Sequence, residues 1–230
     1  MSEGSADGSA RGVHLSASIM CGDLGALRDE ARRLETAGVD SLHVDVMDGN
    51  FVPNMTFGPD TVRMLRAATN LPLHVHMMVT QPEHFVVPFA DAGADVYHFH
   101  LEADSFPYRL SQHIVSSGMV PGIVINPFTP VETAADLALP YVLVMSVEPG
   151  FAGQKWIPTT ERRVAALRKR VGLDTVIGID GNVNLEHATR ALEQGASLFV
   201  CGTSSLFGRP DYRVAVDEFR AGLLASAAAR

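Results

Sequence analysis

Short stretches in which apolar and polar positions alternate recur along the chain, and each gives way to a stretch with helical spacing. The alternation is clearest at Leu42-His43-Val44-Asp45-Val46-Met47, where His43, Asp45 and Met47 share one face and Leu42, Val44 and Val46 the other. Comparable segments at 13–20, 41–47, 73–79, 94–100, 120–126, 141–147, 175–180 and 197–201 are predicted strands. Between them lie predicted helices. In the first, Leu27, Ala31 and Leu34 line one face, Asp23 is placed to cap the start, and Gly38 to end it in the left-handed conformation. Ala37-Gly38-Val39-Asp40, Ala92-Gly93-Ala94-Asp95 and Gln194-Gly195-Ala196-Ser197 repeat the helix-to-strand junction. Strand and helix alternate eight times, which predicts a parallel sheet. Eight units in a chain of 230 residues suit a closed (β/α)8 TIM barrel. An open doubly wound sheet would need a glycine fingerprint after the first strand, and Ser18-Ile19-Met20-Cys21-Gly22-Asp23 supplies none.

Composition narrows the function. One catalytic domain is expected over 12–225, preceded by a disordered leader at 1–11, rich in Ser, Gly and Ala, and followed by a fraying Ala-rich tail at 226–230. The formal charge of -8 argues against a nucleic-acid partner, which needs clustered Lys and Arg. No apolar run approaches a membrane span, and the leader lacks the apolar core of a signal peptide, so a cytoplasmic location with no membrane partner is expected. Cys21 and Cys201 give neither a disulfide framework nor a zinc spacing.

In such a barrel the active site gathers at the carboxyl ends of the strands. There the sequence places Ser18, then His43, Asp45 and Met47, then His76 and Met78, then Met145, then Asp180. Two imidazoles and two carboxylates from three strands, His43, Asp45, His76 and Asp180, make a ligand set for one divalent transition metal, with zinc first and manganese, iron or cobalt also suited. A second group is glycine-rich. Gly150-Phe151-Ala152-Gly153, Gly181-Asn182 and Gly202-Thr203 follow the last three strands. Turns of this kind present backbone N–H groups to a phosphate. The long loop 48–59, with Phe51, Met55 and Phe57, reads as a wall or lid. Lys155 and Lys169 are the only lysines, and neither lies in a predicted strand, so a Schiff-base aldolase has no nucleophile. The phosphate-binding barrel decarboxylases carry Asp-x-Lys-x-x-Asp at a strand end, whereas Asp45-Val46-Met47-Asp48 has no Lys.

Several motifs then resemble the ribulose-phosphate 3-epimerase family: Ser18-Ile19-Met20, the run from His43 to Asn54, Val75-His76-Met77-Met78, the run from Met145 to Gln154, and Asp180-Gly181. The resemblance implies a ribulose-phosphate-binding (β/α)8 barrel with a metal on His43, Asp45, His76 and Asp180. It implies Asp45 and Asp180 as the acid–base pair and Ser18 and His76 at the substrate. Met47, Met78 and Met145 would form a sulfur-lined wall around the reacting carbons, and the protein would be a homo-oligomer, a dimer or larger. The expected reaction is inversion of C3 of a ketose phosphate through a 2,3-enediolate, interconverting D-ribulose 5-phosphate and D-xylulose 5-phosphate. The nearest alternative exchanges D-allulose 6-phosphate and D-fructose 6-phosphate, toward which Ser18-Ile19-Met20-Cys21, Gly150-Phe151-Ala152-Gly153 and Gly202-Thr203-Ser204 lean. A metal-dependent aldolase or lyase is more distant. A non-catalytic sugar-phosphate binding protein is the reading from another class. Four positions depart from the family pattern: His74 stands for the usual Asp, Gly178 for Glu, Asn182 for Gly and Thr203 for Ser.

Overall fold

The computed structural model describes residues 12–228. The expected leader lies outside the described residues, as does the end of the expected tail. Eight parallel strands close into a barrel in sequence order: β1 (His14–Ser18), β2 (Ser41–Met47), β3 (Leu73–Met78), β4 (Val96–His100), β5 (Val120–Ile125), β6 (Tyr141–Met145), β7 (Val176–Asp180) and β8 (Leu198–Cys201). The helices are α1 (Leu27–Ala37), α2 (Pro59–Arg66), α3 (Val86–Ala92), α4 (Pro107–Ser116), α5 (Val131–Asp136), α6 (Thr160–Arg168), α7 (Leu185–Glu193) and α8 (Tyr212–Ala228). Among the described residues no helix is long and apolar enough to cross a membrane.

The period-two pattern sorts each strand. Leu42, Val44 and Val46 of β2, with Val75 and Met77 of β3, join the large core packed between barrel and helices. The opposite faces fill the barrel, and they divide in two. On the β5–β8 side Val124, Leu143, Met145, Val147, Leu198 and Val200 form a separate apolar cluster. The β1–β4 side is polar, with Ser16, Ser18, Ser41, His43, Asp45, His74, His76, His98 and His100 all buried. The repeated junctions have a common cause. Gly38 and Gly93 take φ of +87° and +94° to end α1 and α3, and the Asp two residues on reaches back to the preceding strand. Asp40 Oδ2 accepts from the Leu15 N–H at 2.7 Å, and Asp95 Oδ2 from the Leu73 N–H at 2.8 Å.

Two local expectations are corrected. Asp23 does not cap α1: its Oδ1 accepts from the Gly25 N–H at 2.9 Å, closing a turn ahead of Ala26, which holds the cap position. β6 ends at Met145 rather than Val147, because the Ser146 hydroxyl turns to the carbonyls of Asp180 and Gly181 and bends the chain there. The loop after β2, expected as a wall or lid, packs Phe51 and Val52 against Met47 and Met78. Phe51 packs on the His100 ring at 4.7 Å, Phe57 joins the outer core and Met55 is 77% exposed. Asp48 ties the loop down, accepting from the N–H groups of Asn50 and Phe51 and from both donors of Thr80.

Candidate active site

Strand register brings the predicted residues together. Asp45 is opposite His76 across β2 and β3, and β7 ends on Asp180 beside Met145 of β6. His43 Nε2, His76 Nδ1 and one carboxylate oxygen each of Asp45 and Asp180 converge. His43 Nε2 lies 3.2 Å from His76 Nδ1, 3.3 Å from Asp45 Oδ1 and 3.6 Å from Asp180 Oδ2. His76 Nδ1 is 3.2 Å from each of the same two oxygens. Four donors held at ~2.0–2.1 Å from one tetrahedral ion would be ~3.3–3.4 Å apart, so the observed edges fit a small divalent cation.

The charges fit as well. Burial works against charge on His43, but Asp45 and Asp180 outweigh it and lift the pKa to about 10. His76 is raised against burial by the same two carboxylates. Asp45 and Asp180 are held below the usual carboxylate range, where the two imidazoles overcome the opposing effect of burial. The two buried carboxylates thus favour positive charge at both imidazoles. A dication would supply that charge with both imidazoles neutral, and would relieve the close approach of the two ring nitrogens. The set therefore fits a divalent metal.

Neighbours fix these groups. The Ser18 hydroxyl donates to Asp45 Oδ2 at 2.8 Å, leaving Oδ1 to the imidazoles. Thr56 binds as a surrogate strand, its hydroxyl donating to the Asp45 carbonyl and accepting from the Met47 N–H. His76 Nε2 meets His100 Nε2 at 2.9 Å, and His100 is followed by Glu102. Burial pushes His100 down to about 4, so this ring is neutral. His100 and Glu102 do not stand out among the strand histidines in the sequence, although their spacing repeats that of His43 and Asp45.

A cleft of about 370 Å³ opens over this centre. Ser18, Asp45 and Asp180 line it beside Met47, Met78 and Met145. So do all eight residues of the three glycine-containing turns: Gly150, Phe151, Ala152, Gly153, Gly181, Asn182, Gly202 and Thr203. No Lys, Arg or His is among the lining residues, so backbone N–H groups, hydroxyls and the side-chain amides of Gln154 and Asn182 are what this cleft offers an anion. Gly181 cannot carry a side chain: φ is +108° and a Cβ would stand 2.5 Å from Val147 Cγ2. Asn182 adopts φ of +44°, and its Oδ1 accepts from the Ser204 hydroxyl at 2.7 Å, tying the turn after β7 to that after β8.

Two departures are explained by packing. His74 lies deeper in the barrel, stacked on His14 with its Nδ1 3.4 Å from His98 Nε2, and burial holds both His74 and His98 neutral. At Gly178 a Cβ would come within 2.7 Å of Leu143 and 3.0 Å of Leu198, which fill the space a larger residue would need.

Comparison with known proteins agrees with this geometry. Residues 14–207 match the model of the ribulose-phosphate 3 epimerase family. The ribulose-phosphate 3-epimerase of Bacillus subtilis is 39% identical over 214 residues, covering 90% of this chain and 98% of that protein. That of Methanocaldococcus jannaschii is 40% identical over 217 residues, covering 92% of each. Among solved structures, a 3-hexulose-6-phosphate synthase superposes with a TM-score of 0.68 at 17% identity, covering 91% of this chain and 99% of that one. An orotidine 5'-phosphate decarboxylase from Pyrococcus horikoshii superposes at 0.65 and 14% identity, with the same coverage. At such identities they show the fold alone. Matched along nearly its whole barrel, the chain belongs to the ribulose-phosphate 3-epimerase family, isomerases that act on carbohydrate phosphates.

Proposed function

We propose that the chain is a divalent-metal-dependent ketose-phosphate 3-epimerase that interconverts D-ribulose 5-phosphate and D-xylulose 5-phosphate. The observation that carries this reading is the convergence of the ligand atoms of His43, Asp45, His76 and Asp180 within 4.8 Å of one another, beside a cleft that the glycine-containing turns line. The pentulose is preferred over D-allulose 6-phosphate because the relatives matched along most of the chain carry the ribulose name.

Inverting C3 of a 2-ketose requires removal of the proton beside the carbonyl and return of a proton to the opposite face. A divalent ion held by His43, Asp45, His76 and Asp180, zinc in our reading, would stabilise as a Lewis acid the negative charge that develops on the ketose oxygens. Asp45 and Asp180 are the acid–base pair. They project from β2 and β7, separated by β8 and β1, so one can stand on each side of the sugar plane. In one direction Asp45, entering as the carboxylate, takes the C3 proton and the electron pair passes into the 2,3-enediolate. Asp180, entering turnover protonated, delivers its proton to the other face, after which exchange with solvent resets the pair. The reverse direction exchanges the roles. Ser18 holds the reactive carboxylate of Asp45 in one orientation. Met47, Met78 and Met145 present apolar sulfur to the reacting carbons and keep water from the enediolate. The turns after β6, β7 and β8 take the phosphate, whose remote binding energy holds C3 between the two carboxylates. On the same reading the enzyme is cytoplasmic and a homo-oligomer.

The test is side-by-side kinetics on both ketose phosphates with chelated and reconstituted protein. Chelation should abolish turnover, zinc, manganese, iron or cobalt should restore it, and kcat/KM should favour the pentulose. Full turnover by metal-free protein would refute the reading.

A further inference from the structure

His76 has a second neighbour that the reaction does not use. Its Nδ1 faces the two carboxylates, while Nε2 lies 2.9 Å from Nε2 of His100. The two rings stack at 5.0 Å with an interplanar angle of 20°, and both are fully buried. Beyond them, His100 Nδ1 stands 3.4 Å from Glu102 Oε2. That approach falls short of hydrogen-bond geometry and is a charge–dipole contact when Nδ1 carries the hydrogen. Glu102 is itself held in place. Its Oε1 accepts from the Asn126 N–H at 2.9 Å and from the Thr129 hydroxyl. Arg163 clamps the carbonyls of Asn126 and Thr129 at 2.9 and 2.8 Å.

Only one arrangement of hydrogens satisfies this row. Two imidazole nitrogens at 2.9 Å share a single hydrogen. On the reading that His76 Nδ1 is a metal ligand, on which this inference rests, that nitrogen offers its lone pair and the hydrogen sits on Nε2. His100 Nε2 must then accept, which puts the hydrogen of His100 on Nδ1, facing the Glu102 carboxylate. We propose that His100 and Glu102 are positioning residues that fix the tautomer and ring orientation of His76 and so set the affinity of the metal site. Support for a ligand histidine ordinarily ends at one carboxylate or carbonyl. Here it runs through a second imidazole to an acid on the following turn.

Glu102→Gln probes this without changing shape. The Asn126 N–H fixes the amide oxygen on the loop side, so the NH2 group turns to His100 Nδ1 and opposes the hydrogen there. His100→Phe keeps the stacked ring and removes the acceptor. Zinc affinity is read by chelator competition, tautomers by 15N imidazole resonances of the zinc-loaded protein, and folding by thermal unfolding of the chelated forms. Both variants should bind zinc about 10–100-fold more weakly while the chelated proteins unfold near the wild-type temperature. Wild type should show hydrogen on His76 Nε2 and His100 Nδ1. Hydrogen on His100 Nε2 in wild type, or zinc affinity in both variants within about twofold of wild type, would overturn the proposal. Should a variant fail to fold, the wild-type tautomers decide alone. A wild-type protein that takes up no stoichiometric zinc, or a His76→Ala variant that binds it as tightly, would instead remove the metal reading and the inference with it.

Discussion

Removing the Ser18 hydroxyl tests how the proposed base is held. Ser18 and Asp45 are both buried, and the 2.8 Å bond to Oδ2 is the contact that leaves Oδ1 facing His43 and His76. A hydrogen bond to a buried charged group contributes ~1.5–3 kcal/mol. At ~1.4 kcal/mol per factor of ten, its full loss in the transition state would slow the reaction by ~10–150-fold. Ser18→Ala leaves the glycine-containing turns untouched, so the loss should fall on kcat, with KM changing little. It also leaves the four converging donors in place, so metal stoichiometry should stay at that of wild type. The assay is continuous coupling of D-xylulose 5-phosphate formation, with metal content measured on the same preparation. A kcat within about twofold of wild type would refute the claim that this bond positions the base. A fall in kcat matched by loss of metal would show instead that Ser18 acts on the site's assembly.

Other outcomes follow from the same geometry. A Cβ at Gly202 would meet only Cys21 Sγ, at 3.3 Å, so Gly202→Asp fits the fold and tests charge; it should raise KM for the phosphorylated ketose strongly, and steady-state kinetics with an unchanged KM would remove that turn from the phosphate site. In chelated protein the folded pKa of His43, about 10, lies above the ordinary value of 6.5, so the stability it contributes is complete below 6.5 and is lost as pH rises through about 10. Thermal unfolding of chelated protein should therefore weaken toward alkaline pH, and a flat profile would contradict the charge balance proposed for the site.

Most of the barrel was legible because its signals are local. Period-two alternation marked the strands, and the Gly-then-Asp junctions marked where helices end. The inward face of β2 announced His43 and Asp45, and the same count placed His76. What the sequence hid depends on partners from other strands. Asp23 has the chemistry of a cap, but a nearer N–H at Gly25 competes for its oxygen. The loop after β2 has the length and aromatics of a wall or lid, but its anchors come from elsewhere: Asp48 accepts from Thr80, and Asn54 donates to the Gly150 carbonyl at 2.9 Å. His100 looked like one of several strand histidines. Only the closing of β3 against β4 sets it against His76, and only the loop after β5 turns Glu102 into its neighbour. The division of the barrel interior into a polar and an apolar half likewise arises from which strands stand side by side.

In the proposed mechanism Asp45 and Asp180 act from opposite faces of one sugar, and solvent isotope is the sharpest probe of that arrangement. D-Ribulose 5-phosphate is converted by metal-loaded enzyme in D₂O and the product examined by NMR at C3. A carboxylate that removes the proton on one face and a different one that returns a proton on the other must deliver hydrogen from solvent, so D-xylulose 5-phosphate should carry deuterium at C3. Asp180→Asn should block epimerisation while Asp45 still exchanges the C3 proton of one epimer. Product from wild type that keeps its original hydrogen, with no deuterium at C3, would contradict the two-base mechanism.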